Sequence, residues 1–115
     1  MKLQIEGQQL RVRINEDELS QLLAGDALEA ATRFALAFAI RFTLRLTAQD
    51  EAGFSGVADA WQITLPDVAV REHAARLPTR EGLRFVLTGE RAQDALVLLF
   101  DVDVRDSVRR RRPEP

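Results

Sequence analysis

The sequence predicts an α+β domain: a curved, mostly antiparallel sheet of about six to eight strands with two helices over it, able to close into a partial barrel. Three observations carry that expectation. Residues 33–47 alternate without a break, with Phe34, Leu36, Phe38, Ile40, Phe42, Leu44 and Leu46 on one parity and Arg, Ala and Thr on the other. Alternation of period two places the two sets on opposite faces of an extended chain. Two short stretches with helical apolar spacing each follow a pair of alternating runs. The whole succession also recurs at an offset of 51 residues, which points to a duplicated ββαβ unit with pseudo-twofold symmetry.

Leu3 and Ile5 alternate with Lys2, Gln4 and Glu6, and Leu10, Val12 and Ile14 alternate with Arg11 and Arg13. With Gly7-Gln8 between them, these runs make a β-hairpin. Asn15 is a helix N-cap and Glu18 completes a capping box, while Glu16 and Asp17 suit the positive end of the helix dipole. Leu19, Leu22 and Leu23 form the apolar stripe, and Gly25 is the terminator. Residues 26–32 read as a connection. The run 33–47 then reads as one long strand that cannot be straight. At ~3.3 Å per residue it would span roughly 50 Å, beyond the ~35 Å implied by the radius of gyration expected for a domain of this size. A bend, bulge or break is expected at 35–39, where the outward residues are small.

After the polar turn 49–53 comes a second hairpin, 54–57 and 60–65, with Trp61, Ile63 and Leu65 on one face. Asp67 is the expected N-cap of a second helix with Val70, Ala74 and Leu77 along its stripe, and Leu77-Pro78 ends it. Leu83, Phe85 and Leu87 mark a strand, 89–94 a turn, and 95–104 the last strand. At the offset of 51, Leu3 falls on Phe54, Leu10 on Trp61, Val12 on Ile63, Ile14 on Leu65 and Leu19 on Val70. Arg33-Phe34-x-Leu36 falls on Arg84-Phe85-x-Leu87. Ile5/Gly56, Leu22/His73 and Leu28/Thr79 are mismatches. Residues 1–104 therefore form one domain, with pseudo-repeats at about 1–48 and 52–100, and 105–115 a basic tail read as disordered.

Composition narrows the chemistry. The chain has no cysteine, and one histidine, so disulfides, thiolate chemistry and a zinc site of several N/S ligands are not expected. His73 reads as a partly exposed helix residue. Ser20, Ser55 and Ser107 lack a nucleophile-elbow context, and Gly53-Phe54-Ser55-Gly56 lacks the lysine and following helix of a phosphate loop. No enzyme activity, metal or cofactor is expected. No apolar run reaches membrane-spanning length and no signal segment opens the chain, so a cytoplasmic location is expected. Abundant Ala, Leu and Arg suggest a bacterial source.

The net charge of −2 is unevenly spread: residues 1–104 hold 11 cations against 16 acids, and the last eleven residues hold five Arg against two acids. Arg11, Arg13, Arg33, Arg41 and Arg45 all take the outward parity of strands. Together they read as a cationic sheet face that could take an anionic ligand or nucleic acid, with Arg109, Arg110, Arg111 and Arg112 of the tail adding to it. The plainer reading is a solvated face neutralised by Asp101 and Asp103. Against nucleic acid, every aromatic has inward parity and the body is acidic.

The opening M-K-L-Q-I-E-G-Q-Q-L-R-V-R-I, the acidic helix start after it and the later W-Q-I-T-L-P-D together resemble a family of small bacterial proteins of unknown function. The resemblance covers roughly the first two-thirds of the chain, stops short of the region after Gly89, and implies no activity, cofactor or binding residue. The function that best fits all of this is a non-enzymatic protein–protein interaction module, a homodimer. The alternatives are an anionic-ligand or nucleic-acid binder using the Arg face, and a carrier of a small apolar ligand near Phe38, Phe42 and Trp61.

Overall fold

The structure, a computed structural model, describes residues 1–104; the tail arginines Arg109, Arg110, Arg111 and Arg112 lie outside the described residues. The first hairpin joins β1 (Lys2–Glu6) to β2 (Gln9–Asn15), pairing Leu3 with Val12 and Ile5 with Leu10. Gly7 sits at φ +55° in its two-residue turn, a conformation that glycine adopts without a Cβ penalty. Helix α1 (Glu16–Leu23) starts on a complete capping box. Asn15 Oδ1 accepts from the Glu18 N–H at 2.7 Å, and the Asn15 N–H donates to Glu18 Oε1 at 3.0 Å. Gly25, at φ +99°, ends it as expected.

The remaining elements depart from the expected layout in an informative way. Residues 26–32 are largely not a connection, because β3 (Leu28–Phe34) occupies most of them. The long run 33–47 is not one strand. It breaks at residues 35–37, and only β4 (Phe38–Thr47) continues, antiparallel to β3 with Leu28 opposite Leu44 and Phe34 opposite Phe38. The break falls within 35–39, as the length limit requires, and the chain reverses there. The second half repeats the plan with β5 (Gly53–Val57), β6 (Ala60–Pro66), α2 (Asp67–Ala75), β7 (Leu83–Leu87) and β8 (Leu96–Asp103). In α2, Asp67 is the first helical residue and not the N-cap. Pro66 takes the cap position, without a side-chain bond, and Asp67 pairs with Arg71 one turn on at 2.6 Å.

The α+β class with two helices holds, but the eight strands divide into two four-stranded mixed sheets and no barrel closes. Their orders are β1-β2-β8-β7 and β3-β4-β6-β5. Each sheet takes one hairpin from each half of the chain, joined through a parallel central pair, β2 with β8 and β4 with β6. The two halves are thus interlocked, and the repeating unit is ββαββ, one strand more than the expected unit. The pseudo-twofold is visible in hydrogen bonds: the Val97 N–H donates to the Gln8 carbonyl and the Arg41 N–H to the Asp59 carbonyl, both at 2.8 Å.

The offset of 51 holds through both hairpins and into the helices, then changes. Val12 lies opposite Phe100 and Ile63 opposite Leu44, which makes Leu44 and Phe100 the equivalent pair. Leu28 opposite Leu44 and Leu83 opposite Phe100 then make Leu28 equivalent to Leu83. The match of Arg33-Phe34 to Arg84-Phe85 was therefore a coincidence of parity. Conversely, Leu22/His73 is a mismatch of residue type but not of position. Both are buried, His73 at 2% exposure, whereas a partly exposed histidine was expected. One core runs between the sheets and under both helices: Leu10, Val12, Ile14, Leu19, Leu22, Leu28, Leu44, Ile63, Leu65, Val70, Leu98, Phe100 and Val102. Burial of each large aliphatic there is worth roughly 1.5–3 kcal/mol before chain entropy is counted.

Candidate interaction surface

The sequence of β3 and β4 is apolar beyond the point where the core can use it. Strand β6 begins at Ala60, opposite Arg41, so residues 38–40 of β4 run past the central strand with only β3 beside them. The two strands protrude as a finger. Its tip is closed by the Ala37 N–H donating to the Phe34 carbonyl at 3.0 Å, with Ala35 at φ +53°. Phe34 and Phe38 keep the inward parity, but the sheet opposite leaves them largely uncovered. Their rings pack on each other at 5.1 Å and remain 46% and 54% exposed, while Leu36 at the turn is 96% exposed. Down the strand, at the same parity, Leu44 is 0% exposed. The inward parity expected of every aromatic therefore holds at the finger without bringing burial.

Pseudo-symmetry supplies an internal control. The equivalent link between β7 and β8 spans residues 88–95, reads Thr-Gly-Glu-Arg-Ala-Gln-Asp-Ala, and holds a 3-10 turn at Ala92–Asp94. Arg91 pairs there with Asp94 at 2.9 Å, and Gln8 Nε2 donates to the Asp94 and Ala95 carbonyls at 3.3 and 3.1 Å. One architecture thus uses a polar, tied-down loop in one half and an exposed apolar finger in the other. The fold does not require the finger to be apolar.

Beneath the finger, an open groove of about 420 Å³ lies between the two sheets, lined by Leu3 and Ile5 of β1 and by Phe34, Ile40, Phe42 and Trp61. Trp61 is fixed by its Nε1–H donating to the Ala58 carbonyl at 2.7 Å and by ring contacts to Phe42 at 5.1 Å and Phe54 at 5.6 Å. Of the three side chains expected near a carried ligand, Phe42 and Trp61 line this open groove and Phe38 does not.

The five arginines do not form one face. Arg11 and Arg13 lie on β2, and Arg33, Arg41 and Arg45 lie on β3 and β4 in the other sheet. On β8, Asp101 faces the first pair, at 3.3 Å from Arg11 Nε and 3.8 Å from Arg13. Gly82 leaves space for that carboxylate, since a Cβ there would collide with it. The expected neutralisation by the last strand is thus present for Arg11 and Arg13. Among the described residues no carboxylate lies within ion-pair distance of Arg33, Arg41 or Arg45, and the outward parity of their sheet carries Glu29 as its acid. Buried His73 packs edge-on to Phe100 at 6.4 Å. Burial holds its imidazole below the ordinary value, Arg76 adds to that, and Asp101 opposes it. Among the described residues no three of His, Asp and Glu gather where a metal ion could sit. No helix of the described chain is long and apolar enough to cross a membrane.

Compared with known protein families, residues 1–103 match the model of a family of unknown function, DUF7009. The chain belongs to that family. The match runs through β8, so the DUF7009 region takes in the finger, the polar loop after Gly89 and both sheets, well beyond the first two-thirds that carried the resemblance. Comparison with curated proteins and with solved structures gives no match. Sequence reasoning named the arginines, took Phe34 and Leu36 only as part of an inward face, and named Phe38 only beside a small-ligand pocket. The available signal was the length limit itself, since a strand too long for its domain must leave apolar residues outside it.

Proposed function

We propose that this DUF7009 chain is a non-enzymatic module that works by protein–protein contact, with the β3–β4 finger as its contact surface. The observation that supports the reading is the contrast between the two halves. Phe34, Leu36 and Phe38 stand exposed where the symmetry-related loop is polar and bonded to Gln8 of the β1–β2 turn. Clustered exposed apolar side chains beside a groove are a feature of interaction sites, and their cost in solubility needs a use. The test is a Leu36→Ser/Phe38→Ser variant used as bait beside the wild type in extracts of cells that express the protein. A variant that still melts cooperatively, lowered by no more than the about 1–2 kcal/mol that the Phe38 ring contributes, and that loses the retained partner supports the reading. Retention of the same proteins by both baits rejects it.

A second reading, an anionic ligand on the outer face of the β3-β4-β6-β5 sheet, is favoured by Arg41 and Arg45 standing without a carboxylate beside Thr43, Gln62 and Thr64. It predicts salt-sensitive binding of a mixed oligonucleotide pool. It loses if Arg41→Glu/Arg45→Glu binds that pool as well as the wild type.

A further inference from the structure

The two sheets leave four edges, β1, β3, β5 and β7. At 7 residues β3 is longer than the other three, each of 5, and it carries no Lys, Pro or Gly. From Glu29 to Phe34 every residue but Ala30 is exposed. An uninterrupted edge of this kind is a template for another strand.

Which backbone groups of β3 face outward follows from its neighbours. The Arg41 N–H donates to the Asp59 carbonyl, so the odd-numbered residues of β4 turn their N–H and C=O toward β6 and the even-numbered ones toward β3. Ala30, Thr32 and Phe34, opposite Phe42, Ile40 and Phe38, are therefore bonded to β4. Glu29, Ala31 and Arg33 direct their backbone groups away from the sheet. Their side chains share the outer face, and Glu29 and Arg33 are too far apart along one strand to pair, at about 13 Å.

We propose that β3 pairs antiparallel with β3 of a second copy of this chain, about a twofold axis through Ala31. In that register Ala31 faces the partner's Ala31, Glu29 faces the partner's Arg33, and Arg33 faces the partner's Glu29. Three backbone-bonded pairs form, each exchanging two hydrogen bonds, and both charge pairs lie on the outer face. On the inner face Phe34 comes opposite the partner's Leu28, which covers part of its exposed ring. The result is a continuous eight-stranded sheet with an isologous interface. The competing edges fit less well. In β7, Arg84 has no acid to meet across a twofold. In β5, Gly56 is held at φ +101°. In β1, Lys2 and Glu6 could meet about Gln4, but only Leu3 and Ile5 face outward, which gives two bonded pairs, and a Lys guards the edge.

This proposal rests on the protein–protein contact reading and names one partner for it, while leaving Leu36 at the tip free for another. The experiment is sedimentation equilibrium of the full chain across a wide concentration range, with Glu29→Arg and Arg33→Glu made singly and then mixed. Wild type should move from 12.9 kDa toward twice that mass. Each single variant sets like charges opposite each other and should stay monomeric, with the melting temperature of wild type at dilutions where it is monomeric. In the equimolar mixture, a dimer of one variant with the other again sets opposite charges across both facing pairs, so the mixture should dimerise. A monomeric wild type, single variants that dimerise as well as wild type, or a mixture that stays monomeric would each overturn the β3 pairing. None of those outcomes touches the finger reading, which the Leu36→Ser/Phe38→Ser bait tests separately.

Discussion

Phe38→Ala and Leu44→Ala truncate two residues of one strand at one parity, and the fold assigns them very different costs. Leu44 is fully buried between the sheets, so its truncation removes several methylenes and leaves a cavity, at about 2–5 kcal/mol. Phe38 is 54% exposed and packs mainly on Phe34 at 5.1 Å. It forfeits roughly half of the burial of an aromatic ring and one ring pair worth ~0.5–1.5 kcal/mol. The expected cost is therefore about 1–2 kcal/mol, against ~3–5 kcal/mol for a phenylalanine in the core. Urea denaturation of both variants at one temperature gives the comparison, with the slope checked for constancy so that midpoints convert to stability. Leu44→Ala should lie clearly below Phe38→Ala. Equal losses would mean that the core extends to the fingertip, and the finger would cease to be a surface.

Four further outcomes follow from local structure. Ala35 is held at φ +53° in the fingertip turn, which costs a residue with a Cβ about 1–2 kcal/mol, so Ala35→Gly should raise stability by up to ~1 kcal/mol after the added chain entropy; no gain in a melt would count against the turn. His73 is held below its ordinary value of 6.5, so the unfolded chain binds the proton more readily. Its stabilising neutral form is complete above about pH 6.5 and is lost as pH falls from there toward the folded value. His73→Leu, the residue at the equivalent position 22, should flatten the decline in stability on acidification, as followed by thermal melts across that window. Asn15→Ala removes the cap on the Glu18 N–H and should cost about 1 kcal/mol. The Glu18 carboxyl feels burial, which raises it, but the Met1 ammonium at 2.7 Å and the Asn15 N–H outweigh that and hold it below 4.5. Glu18→Gln should therefore lose stability relative to wild type above about pH 4.5 and converge with it as the pH falls below that value.

Particular residues explain what the sequence could and could not disclose. Leu10, Val12 and Ile14, the Asn15–Glu18 box and Gly25 were legible because each signal is local and fold-independent. Strand β3 was not, because Leu-Glu-Ala-Ala-Thr has good helix propensity and, as an edge strand near a tip, it has little apolar alternation to show. The turn at 35–37 was hidden because Ala-Leu-Ala carries none of the Gly, Asn or Asp that mark a hairpin turn. Parity correctly put Arg11, Arg13, Arg33, Arg41 and Arg45 outward, but parity cannot say which sheet a strand joins. The interlocking of the halves then separated them. His73 carried a signal that went unused, since its repeat position coincides with Leu22 of the core.

The measurement that bears most directly on the finger is site-specific photo-cross-linking in cells expressing the protein, with the photoreactive residue at position 36 or, as a control in the symmetry-related loop, at position 93. A protein adduct from position 36 and none from position 93 is the predicted result. Equal cross-linking from both positions, or none from position 36, would contradict the assignment of the apolar finger as the contact surface.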